Sequence, residues 1–125
     1  MENQEVILEA RAVQRYLRRS PRKVRLVANL VRGKNVSDAL GALRFANKGS
    51  ASEVEKVVRS AAANIRDKFQ DERLDNEDLY IKEIFVDEGA TLKRIQPAPQ
   101  GRAHQIRKRS CHITVVVAKQ EETEA

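Results

Sequence analysis

The 125 residues are about the length of one domain, so a single unit spanning residues 1–125 is expected. Lysine and arginine number 24 against 18 aspartates and glutamates, and the resulting net charge of +6 indicates a polyanionic partner. No apolar run approaches the roughly 18 residues that span a bilayer. Cys111 is the only cysteine, and a single cysteine excludes an intrachain disulfide and a multi-cysteine zinc site and favours a reducing, cytoplasmic setting.

The first predicted elements are a strand and a helix. Leu8 to Leu17 contains alternating stretches typical of a strand with one wet face. Ser20-Pro21 then predicts a helix start, with Ser20 as N-cap and proline at the first helical position, and Arg32-Gly33 predicts its end. The apolar stripe of this helix is Val24, Val27, Ala28 and Val31.

Two more helices are predicted before residue 70. The shorter one begins at Ser37 and ends near Asn47-Lys48-Gly49, with Leu40, Leu43 and Phe45 facing inward. The longer one begins at a capping box formed by Ser50 and Glu53. Its inward positions repeat at spacings of three and four: Val54, Val57, Val58, Ala61, Ala62, Ile65 and Phe69.

The second half of the chain predicts strands. Residues 71–78 form an acidic loop, and Leu79–Val86 and Ile113–Val117 have the β-branched and aromatic composition of strands that join the early strand in one sheet. Residues 89–110 between them predict a β-hairpin with its turn at Pro97–Gly101 and arms reaching on the order of 33 Å. The predicted body is therefore residues 6–88 and 111–119, and the acidic residues 120–125 are predicted to be disordered.

The cations are segregated along the chain. Residues 11–34 contain nine lysines or arginines, residues 89–120 contain seven, and neither segment contains an acid. The remainder carries all 18 acids and only eight cations. A solvated surface mixes both signs, whereas long single-sign stretches repel themselves unless a polyanion neutralises them. The two cationic segments therefore favour nucleic-acid binding over a merely solvated face.

Catalytic, metal and cofactor sites are not expected. Cys111 and His112 are adjacent, so on a strand they point to opposite faces and cannot act as nucleophile and base. Gly33-Lys34 lacks the preceding glycine of a phosphate-binding loop and follows a helix. Paired carboxylates such as Glu77 and Asp78 lie in a wet loop.

The small number of aromatic residues bears on the kind of nucleic acid. Aromatics make up 4% of the chain, and three or four of the five are predicted to belong to the core. That disfavours single-strand binding by base stacking and favours phosphate and shape recognition of folded RNA or a duplex. The five are Tyr16, Phe45, Phe69, Tyr80 and Phe85.

Other nucleic-acid readings stay open from the residues alone. A DNA-architectural protein could insert a basic ribbon with proline at its tip into a minor groove, although such proteins begin and end on helices. A sequence-specific repressor could use residues 20–46 as a helix-turn-helix, but nine cations of one sign suit phosphates better than base edges.

Two sets of motifs carry a family resemblance over about Ala10 to Ala118. The first is SPRKVRLV from Ser20, followed by LVRGK from Leu30. The second runs in order through IFVDEG from Ile84, KRI from Lys93, GRA from Gly101 and KRSCHITVVV from Lys108. In order and spacing they resemble the ribosomal protein twenty-two family of the bacterial large subunit.

The resemblance implies an α+β fold, with three helices packed on a small three-stranded antiparallel sheet and a long protruding β-hairpin. It also implies a structural constituent of the large subunit that binds large-subunit ribosomal RNA (rRNA) and supports assembly. The hairpin would line the nascent-peptide exit tunnel, near ribosomal protein four and the passing nascent peptide. No membrane, cofactor or homo-oligomer is implied.

The resemblance also assigns residues to these roles. The tip facing the tunnel would be less basic than in many members, which have further cations where this chain has Ala98, Pro99 and Gln100. The whole tip is Pro97, Ala98, Pro99, Gln100, Gly101 and Arg102. The predicted RNA-binding residues are Arg11, Arg15, Arg18, Arg19, Arg22, Lys23, Arg25 and Lys34 in the body and Lys93, Arg94, Arg102, Arg107, Lys108 and Arg109 in the hairpin.

Overall fold

The computed structural model describes residues 4–46, 49–97, 101 and 103–123, and the side chains of residues 8–46, 49–91, 101 and 109–119. The predicted combination of three helices and a three-stranded antiparallel sheet is confirmed. In chain order the elements are β1 (Gln4–Leu17), α1 (Pro21–Val31), α2 (Val36–Phe45), α3 (Ala51–Lys68), β2 (Tyr80–Glu88), β3 (Leu92–Pro97), β4 (Ala103–Lys108) and β5 (Cys111–Thr123).

The main sheet has the order β1-β5-β2, with both neighbours antiparallel to the central strand. Alternate residues of β5 point into the core, and Cys111, Ile113, Val115 and Val117 are fully buried there. The β-branched side chains of Ile113, Val115 and Val117 suit the covered face of a sheet. Strands β3 and β4 form a separate two-stranded antiparallel sheet, in register from Leu92–Lys108 to Pro97–Ala103.

The sheet extends beyond the predicted strand limits. Strand β1 begins at Gln4, and β5 continues to Thr123, so that these two residues are paired. Residues 120–123 are therefore ordered in the sheet, and the disorder predicted for them from their acidic composition is wrong. Backbone hydrogen bonds between strands need no apolar side chains, and a strand already started in the core can continue outward on them. Residues 124–125 lie outside the described range.

Two predicted helix starts are revised. Helix α2 begins one residue early, because Asn35 is its N-cap and its side-chain oxygen accepts a hydrogen bond from the Asp38 N–H at 2.8 Å. The predicted capping box of α3 is wrong. Ser50 has helical backbone angles and makes no side-chain cap bond, and the Glu53 carboxylate accepts instead from Arg19 Nη2 at 3.2 Å.

The aromatic side chains do not form the core. Phe45 was predicted to face inward but is 86% exposed. It lies nine residues after the buried Val36, which is a rotation of about 180° on an α-helix, so it falls on the opposite face. Tyr16 and Phe85 are also exposed, and Phe69 and Tyr80 are only half-buried. Aliphatic side chains, mostly alanine, valine, isoleucine and leucine, fill the core, and the prediction that three or four aromatics belong to it is wrong.

Arginine side chains cover the free edge of β2. Arg25 donates through Nε and Nη2 to the Val86 carbonyl at 3.2 and 3.0 Å, and Arg32 Nη2 donates to the Ile84 carbonyl at 2.8 Å. Two side chains of α3 donate in the same way to carbonyls of β1. These contacts satisfy carbonyl groups at the sheet edges that could otherwise pair with a strand of another chain. Those of Arg25 and Arg32 also hold α1 alongside β2.

Two glycines make a matched pair for testing this backbone. Gly33 ends α1 with φ +80°, whereas Gly41 lies inside α2, and a Cβ added at either would meet no atom within 4 Å. Gly33→Ala is expected to lower the free energy of unfolding by about 1 kcal/mol, because a left-handed conformation is costly for alanine. Gly41→Ala is expected to raise it by about 0.5–1 kcal/mol. Urea unfolding measures both, and shifts of the same sign would contradict the assignment.

Candidate nucleic-acid interface

The two cationic segments meet at one end of the main sheet. Cys111, the first residue of β5, is paired with Leu17 on one side and with Glu88 on the other. Arg18 directly follows Leu17, and Arg109 lies two residues before Cys111. Residues more than 90 positions apart in sequence are thus neighbours in the fold. We call this region, including the first turn of α1, the cationic end of the sheet.

The N-terminus of α1 lies at the same end. Arg25, near its start, bonds to Val86 close to the end of β2, while Arg32 bonds farther back at Ile84, so the helix runs away from the cationic end. Its N-cap Ser20 makes no side-chain cap bond, and the first turn contains no acid. The N–H groups of a first helical turn lack partners within the helix and attract anions.

A surface cavity of about 400 Å³ lies where the beginnings of α1 and α3 approach each other. Arg19 and Lys23 line it from one side, and Gly49 and Ser50 line it from the other. A side chain at position 49 would crowd the Arg19 guanidinium, because a Cβ there would lie 3.0 Å from Nη1. The cavity combines cations with a helix start, an arrangement that suits phosphate.

Most of the predicted RNA-binding residues with described side chains are exposed cations without a partner. No hydrogen bond or ion pair joins them to another residue whose side chain is described. Among the described lysines and arginines that were not predicted to bind RNA, most form a hydrogen bond or an ion pair within the fold. Arg44 and Lys56 are the exceptions. The unpartnered members of the predicted set are Arg11, Arg15, Arg18, Arg22, Lys23, Lys34 and Arg109.

Arg19 and Arg25 of the predicted set are engaged in the fold. Arg25 holds the edge of β2, so its guanidinium is partly used. Arg19 pairs with Glu53 at 3.2 Å. Burial of Glu53 disfavours its charged form, but hydrogen bonds from its own backbone N–H, Arg19 and Ser52, with the charge of Arg19, outweigh that effect and lower its pKa. The sequence assigned both arginines to RNA binding, because their partners, the Val86 carbonyl and Glu53, are distant along the chain.

Two predicted residues lie away from the cationic end. The Lys34 carbonyl accepts from the Ile81 N–H at 2.9 Å, which puts it beyond the far end of α1. Arg11 stands midway along β1, opposite Val116. The described residues do not include the tip residues Ala98, Pro99, Gln100 and Arg102. The described side chains also exclude those of Lys93, Arg94, Pro97, Arg107 and Lys108. Gly101 of the tip is exposed and has a φ of +72°.

Gly89 controls the junction between β2 and the β3–β4 ribbon. Its N–H donates to the Ser110 carbonyl at 2.9 Å, and a Cβ on it would lie only 2.5 Å from Ser110 Oγ. That hydroxyl donates to the Ala90 carbonyl at 2.6 Å. The absence of a side chain at position 89 therefore lets the two arms close at the cationic end.

Tyr16 is a surface residue that the sequence analysis did not assign to the site. It lies at an irregularity of β1 with φ +57°, its N–H donates to His112 Nδ1 at 3.0 Å, and the two rings meet edge to face at 4.9 Å between centroids. The ring is 69% exposed between Arg15 and Arg18. The sequence signal that could have identified Tyr16 as a site residue is its position between Arg15 and Arg18. This exposed ring weakens the part of the argument against base stacking that assumed most aromatics to be buried, while the low aromatic content still favours phosphate and shape recognition.

The chemistry around Cys111 fits a core residue. Cys111 is fully buried, and His112 next to it is held by Tyr16 on the other face, so the two side chains diverge as expected. Burial raises the pKa of the Cys111 thiol, against a smaller opposing effect of the Arg25 charge. Among the described residues, no group of histidine, cysteine or acidic side chains could hold a metal ion, and no helix is long and apolar enough to cross a membrane.

Comparison with known proteins gives a consistent family match. The profile of the family described as ribosomal protein L22p/L17e matches residues 12–118. The large ribosomal subunit protein uL22 of Desulfitobacterium hafniense strain Y51 is 55% identical over 114 residues, covering 91% of this chain and 97% of that protein. Its counterpart in Clostridium novyi strain NT is 51% identical over 110 residues, covering 88% and 96%. That of Chlorobium phaeobacteroides strain BS1 is 50% identical over 110 residues, covering 88% and 94%.

Proposed function

The chain belongs to the ribosomal protein L22p/L17e family, and we propose that it anchors in the large subunit by binding rRNA through phosphate and shape recognition. Family membership makes it a ribosomal protein of the large subunit, acting in translation within the cytoplasm. It therefore associates with rRNA and with other ribosomal proteins.

The observation that supports phosphate recognition is the convergence of unpartnered cations at one end of the sheet. Arg22 and Lys23 lie in the uncapped first turn of α1, and Arg18 and Arg109 lie in the chain segments next to the paired Leu17 and Cys111. None of the four forms an ion pair with a described residue. RNA phosphates neutralise them and release condensed counterions, so the affinity falls steeply as salt rises. Arginine guanidinium groups also fork onto phosphate oxygens or stack on bases.

The β3–β4 ribbon extends rRNA binding from the body into the interior of the large subunit. Residues 89–110 form a hairpin that leaves the body at Gly89 and Ser110 and runs along the peptide exit tunnel, beside ribosomal protein four. Lys93, Arg94, Arg102, Arg107 and Lys108 bind rRNA along its length, while the weakly basic tip faces the nascent peptide. The body folds as one domain with the hairpin and supports subunit assembly by joining separate rRNA segments.

The protein acts by binding and not by catalysis. Its relatives are structural ribosomal proteins, a family not known to be enzymatic. The buried Cys111 with its raised pKa is a poor nucleophile, which is consistent with that role.

A competition experiment tests the choice of nucleic acid. Purified protein is titrated into labelled protein-free large-subunit rRNA, with an equal mass of random duplex DNA or of small-subunit rRNA as competitor. Large-subunit rRNA is expected to be preferred by at least tenfold at about 0.15 M salt, a condition in which non-specific electrostatic binding is weak. Equal competition by duplex DNA would contradict the proposal and favour the DNA-architectural reading.

Crosslinking tests the position of the hairpin tip. Because the native Cys111 is fully buried, a Gln100→Cys variant carries one accessible thiol at the tip. Ribosomes containing this variant are expected to crosslink to a stalled nascent chain. A thiol placed on the body at the exposed Asn29 is the matched control and should not react with the nascent chain. Crosslinking from position 29 alone would contradict the tunnel assignment.

Removing the partner of Arg19 is expected to strengthen RNA binding. Glu53→Gln frees the Arg19 guanidinium for phosphate, and the affinity for large-subunit rRNA should rise about threefold to tenfold, with a salt slope steeper by up to about 0.9. Glu72→Gln, in the exposed acidic loop, is the matched control and should change neither. An unchanged affinity for Glu53→Gln would show that Arg19 does not contact RNA.

The same substitution has a pH signature. The folded-state pKa of Glu53 is lowered, so its contribution to stability is present above the unfolded-state pKa of about 4.3 and is lost as pH falls through the folded pKa. The free energy of unfolding of Glu53→Gln should therefore fall less steeply than that of the wild type below about pH 4.3. Parallel curves in urea unfolding from pH 6 to pH 3 would contradict the assigned Arg19–Glu53 pair.

A further inference from the structure

His112 lies where the three strands of the main sheet meet the base of the ribbon. It is the second residue of β5 and is half-buried. Its neighbours Cys111 and Ile113 point into the core, so the imidazole projects from the opposite face of the sheet. On that face its register partner on β2 is Asp87.

Strand β1 bulges opposite His112. The register of β1 against β5 shifts between Gln14 and Leu17, and β1 uses one residue more than β5 over this interval. Tyr16 lies inside the bulge with φ +57°, and it is the only described residue other than glycine with a positive φ. Its N–H donates to His112 Nδ1 at 3.0 Å, so the imidazole supplies an acceptor where the ladder is interrupted. His112 therefore holds β1 in a conformation that is costly for tyrosine.

The neighbouring edge of the same imidazole faces the start of the ribbon. A Cβ on Gly89 would lie 3.2 Å from His112 Nε2 and 3.3 Å from Cε1, so the ring lies close to the Gly89 backbone. Gly89 directly follows β2, and its N–H donates to the Ser110 carbonyl of the returning arm at 2.9 Å. Because Nδ1 accepts the Tyr16 N–H, the neutral ring carries its proton on Nε2. One side chain of β5 thus contacts β1 and the ribbon base together.

The ribbon needs a third contact of this kind to have a fixed direction. Strands β3 and β4 form a sheet of their own and do not continue the hydrogen-bond ladder of the main sheet. Two short segments, residues 89–91 and 109–110, join the ribbon to the body. Two connections define an axis about which a ribbon can swing, as at a hinge. A side chain that is held by a third strand and lies against one connection restricts that rotation.

We propose that His112 is a positioning residue, which transmits the position of β1 to Gly89 and thereby sets the direction in which the β3–β4 ribbon leaves the body. The bulge at Tyr16 is the anchor, because its N–H fixes the ring. Gly89 is the point of contact, because a residue without a side chain leaves room for the ring edge. The use of a fixed direction, which is to aim the ribbon into the large subunit, rests on the proposed function.

Pulsed electron paramagnetic resonance on the free full-length protein measures this direction as a distance between two spin labels. One label is attached at Ser60→Cys, an exposed position on α3, and the other at Gln100→Cys, at the predicted tip of the ribbon. The native Cys111 is fully buried and stays unlabelled. The width of the distance distribution reports how tightly the ribbon is aimed relative to the body.

Two variants each remove one half of the link. His112→Asn keeps an acceptor oxygen for the Tyr16 N–H but lacks the ring edge at Gly89. His112→Phe keeps a ring at Gly89 but has no acceptor. The control is Val115→Ala, which removes a fully buried core side chain and lowers stability without altering the junction.

The wild type is expected to give one narrow distance distribution. Both His112 variants should widen it at least twofold while keeping a cooperative melting transition. Val115→Ala should keep the wild-type width despite a lower melting temperature. An unchanged width in either His112 variant would overturn the inference, since the link needs both contacts. Equal widening by Val115→Ala would also overturn it, because the direction would then depend on general stability.

A measurement on the wild type decides the matter if a His112 variant fails to fold. The nitrogen NMR spectrum of His112 should show the neutral tautomer with its proton on Nε2, and the Tyr16 amide proton should exchange slowly with solvent. A neutral ring protonated on Nδ1, or rapid exchange of the Tyr16 amide, would remove the anchor and with it the inference.

Failure of this inference and failure of the proposed function are distinguishable. If the tip thiol at Gln100→Cys does not crosslink to the nascent chain but the distance widths are as expected, the tunnel assignment fails and the role of His112 in the free protein stands. If the widths are unchanged while the tip crosslinks, the role of His112 fails and the proposed function stands.

Discussion

Arg22→Glu together with Lys23→Glu is expected to lower the affinity for large-subunit rRNA by at least tenfold at about 0.1 M salt. Each change removes a cation that we propose contacts a phosphate, worth about 0.7–0.9 in the salt slope, and adds repulsion at the uncapped start of α1. The fold should be unaffected or slightly stabilised, because acids in the first turn of a helix interact favourably with its dipole. Titration at several salt concentrations and urea unfolding measure the two effects separately.

The charge-matched control for this reversal is Lys56→Glu with Arg73→Glu, two exposed cations outside the predicted RNA-binding set, which makes the same change in net charge. If both double variants weaken binding equally, the effect is one of total charge, and the cationic end of the sheet is not a specific contact. Unchanged affinity after reversal at Arg22 and Lys23 would remove that surface from the RNA interface altogether.

Removing the hairpin is expected to separate binding from folding. Residues 93–107 can be replaced by Asn-Gly, since Leu92 and Lys108 are paired and two residues suffice for a type I′ turn. The free energy of unfolding should change by less than about 1 kcal/mol, because the buried core found among the residues with described side chains lies outside the deletion and a two-stranded ribbon contributes little stability alone. The salt slope should fall by about 3, because four cations are lost.

Loss of a cooperative melting transition in this deletion would show that the hairpin stabilises the body. A retained salt slope would show instead that Lys93, Arg94, Arg102 and Arg107 do not contact RNA. The shortened turn is the appropriate variant because it preserves the junction at Gly89 and Ser110, where the two arms are joined by a backbone hydrogen bond.

Local signals explain why most elements could be predicted from the sequence. Ser20-Pro21 and Gly33 bound α1 as expected, and the three-and-four repeat from Val54 to Ile65 places one face of α3 in the core. Errors arose where a partner distant in sequence decided the outcome. Glu53 pairs with Arg19 instead of capping α3, and residues 120–123 are ordered by pairing with β1.

The candidate site was predictable in composition but not in arrangement. The charge runs correctly indicated two cationic segments, but only the register that pairs Leu17 and Glu88 with Cys111 brings Arg18 and Arg109 together. The cavity between α2 and α3 that brings Arg44, Arg59 and Arg66 together gave no sequence signal, because these arginines belong to no cationic run and are united only by helix packing.

Sedimentation of the tagged protein from a cell lysate tests the central claim most directly. The lysate is separated on a sucrose gradient, large subunits are washed with high salt, and RNA in the peak fractions is identified. The protein is expected to co-migrate with large subunits, to survive the wash and to be recovered with large-subunit rRNA. Migration with DNA, or as free protein while large subunits lack it, would contradict a role as an integral component of the subunit.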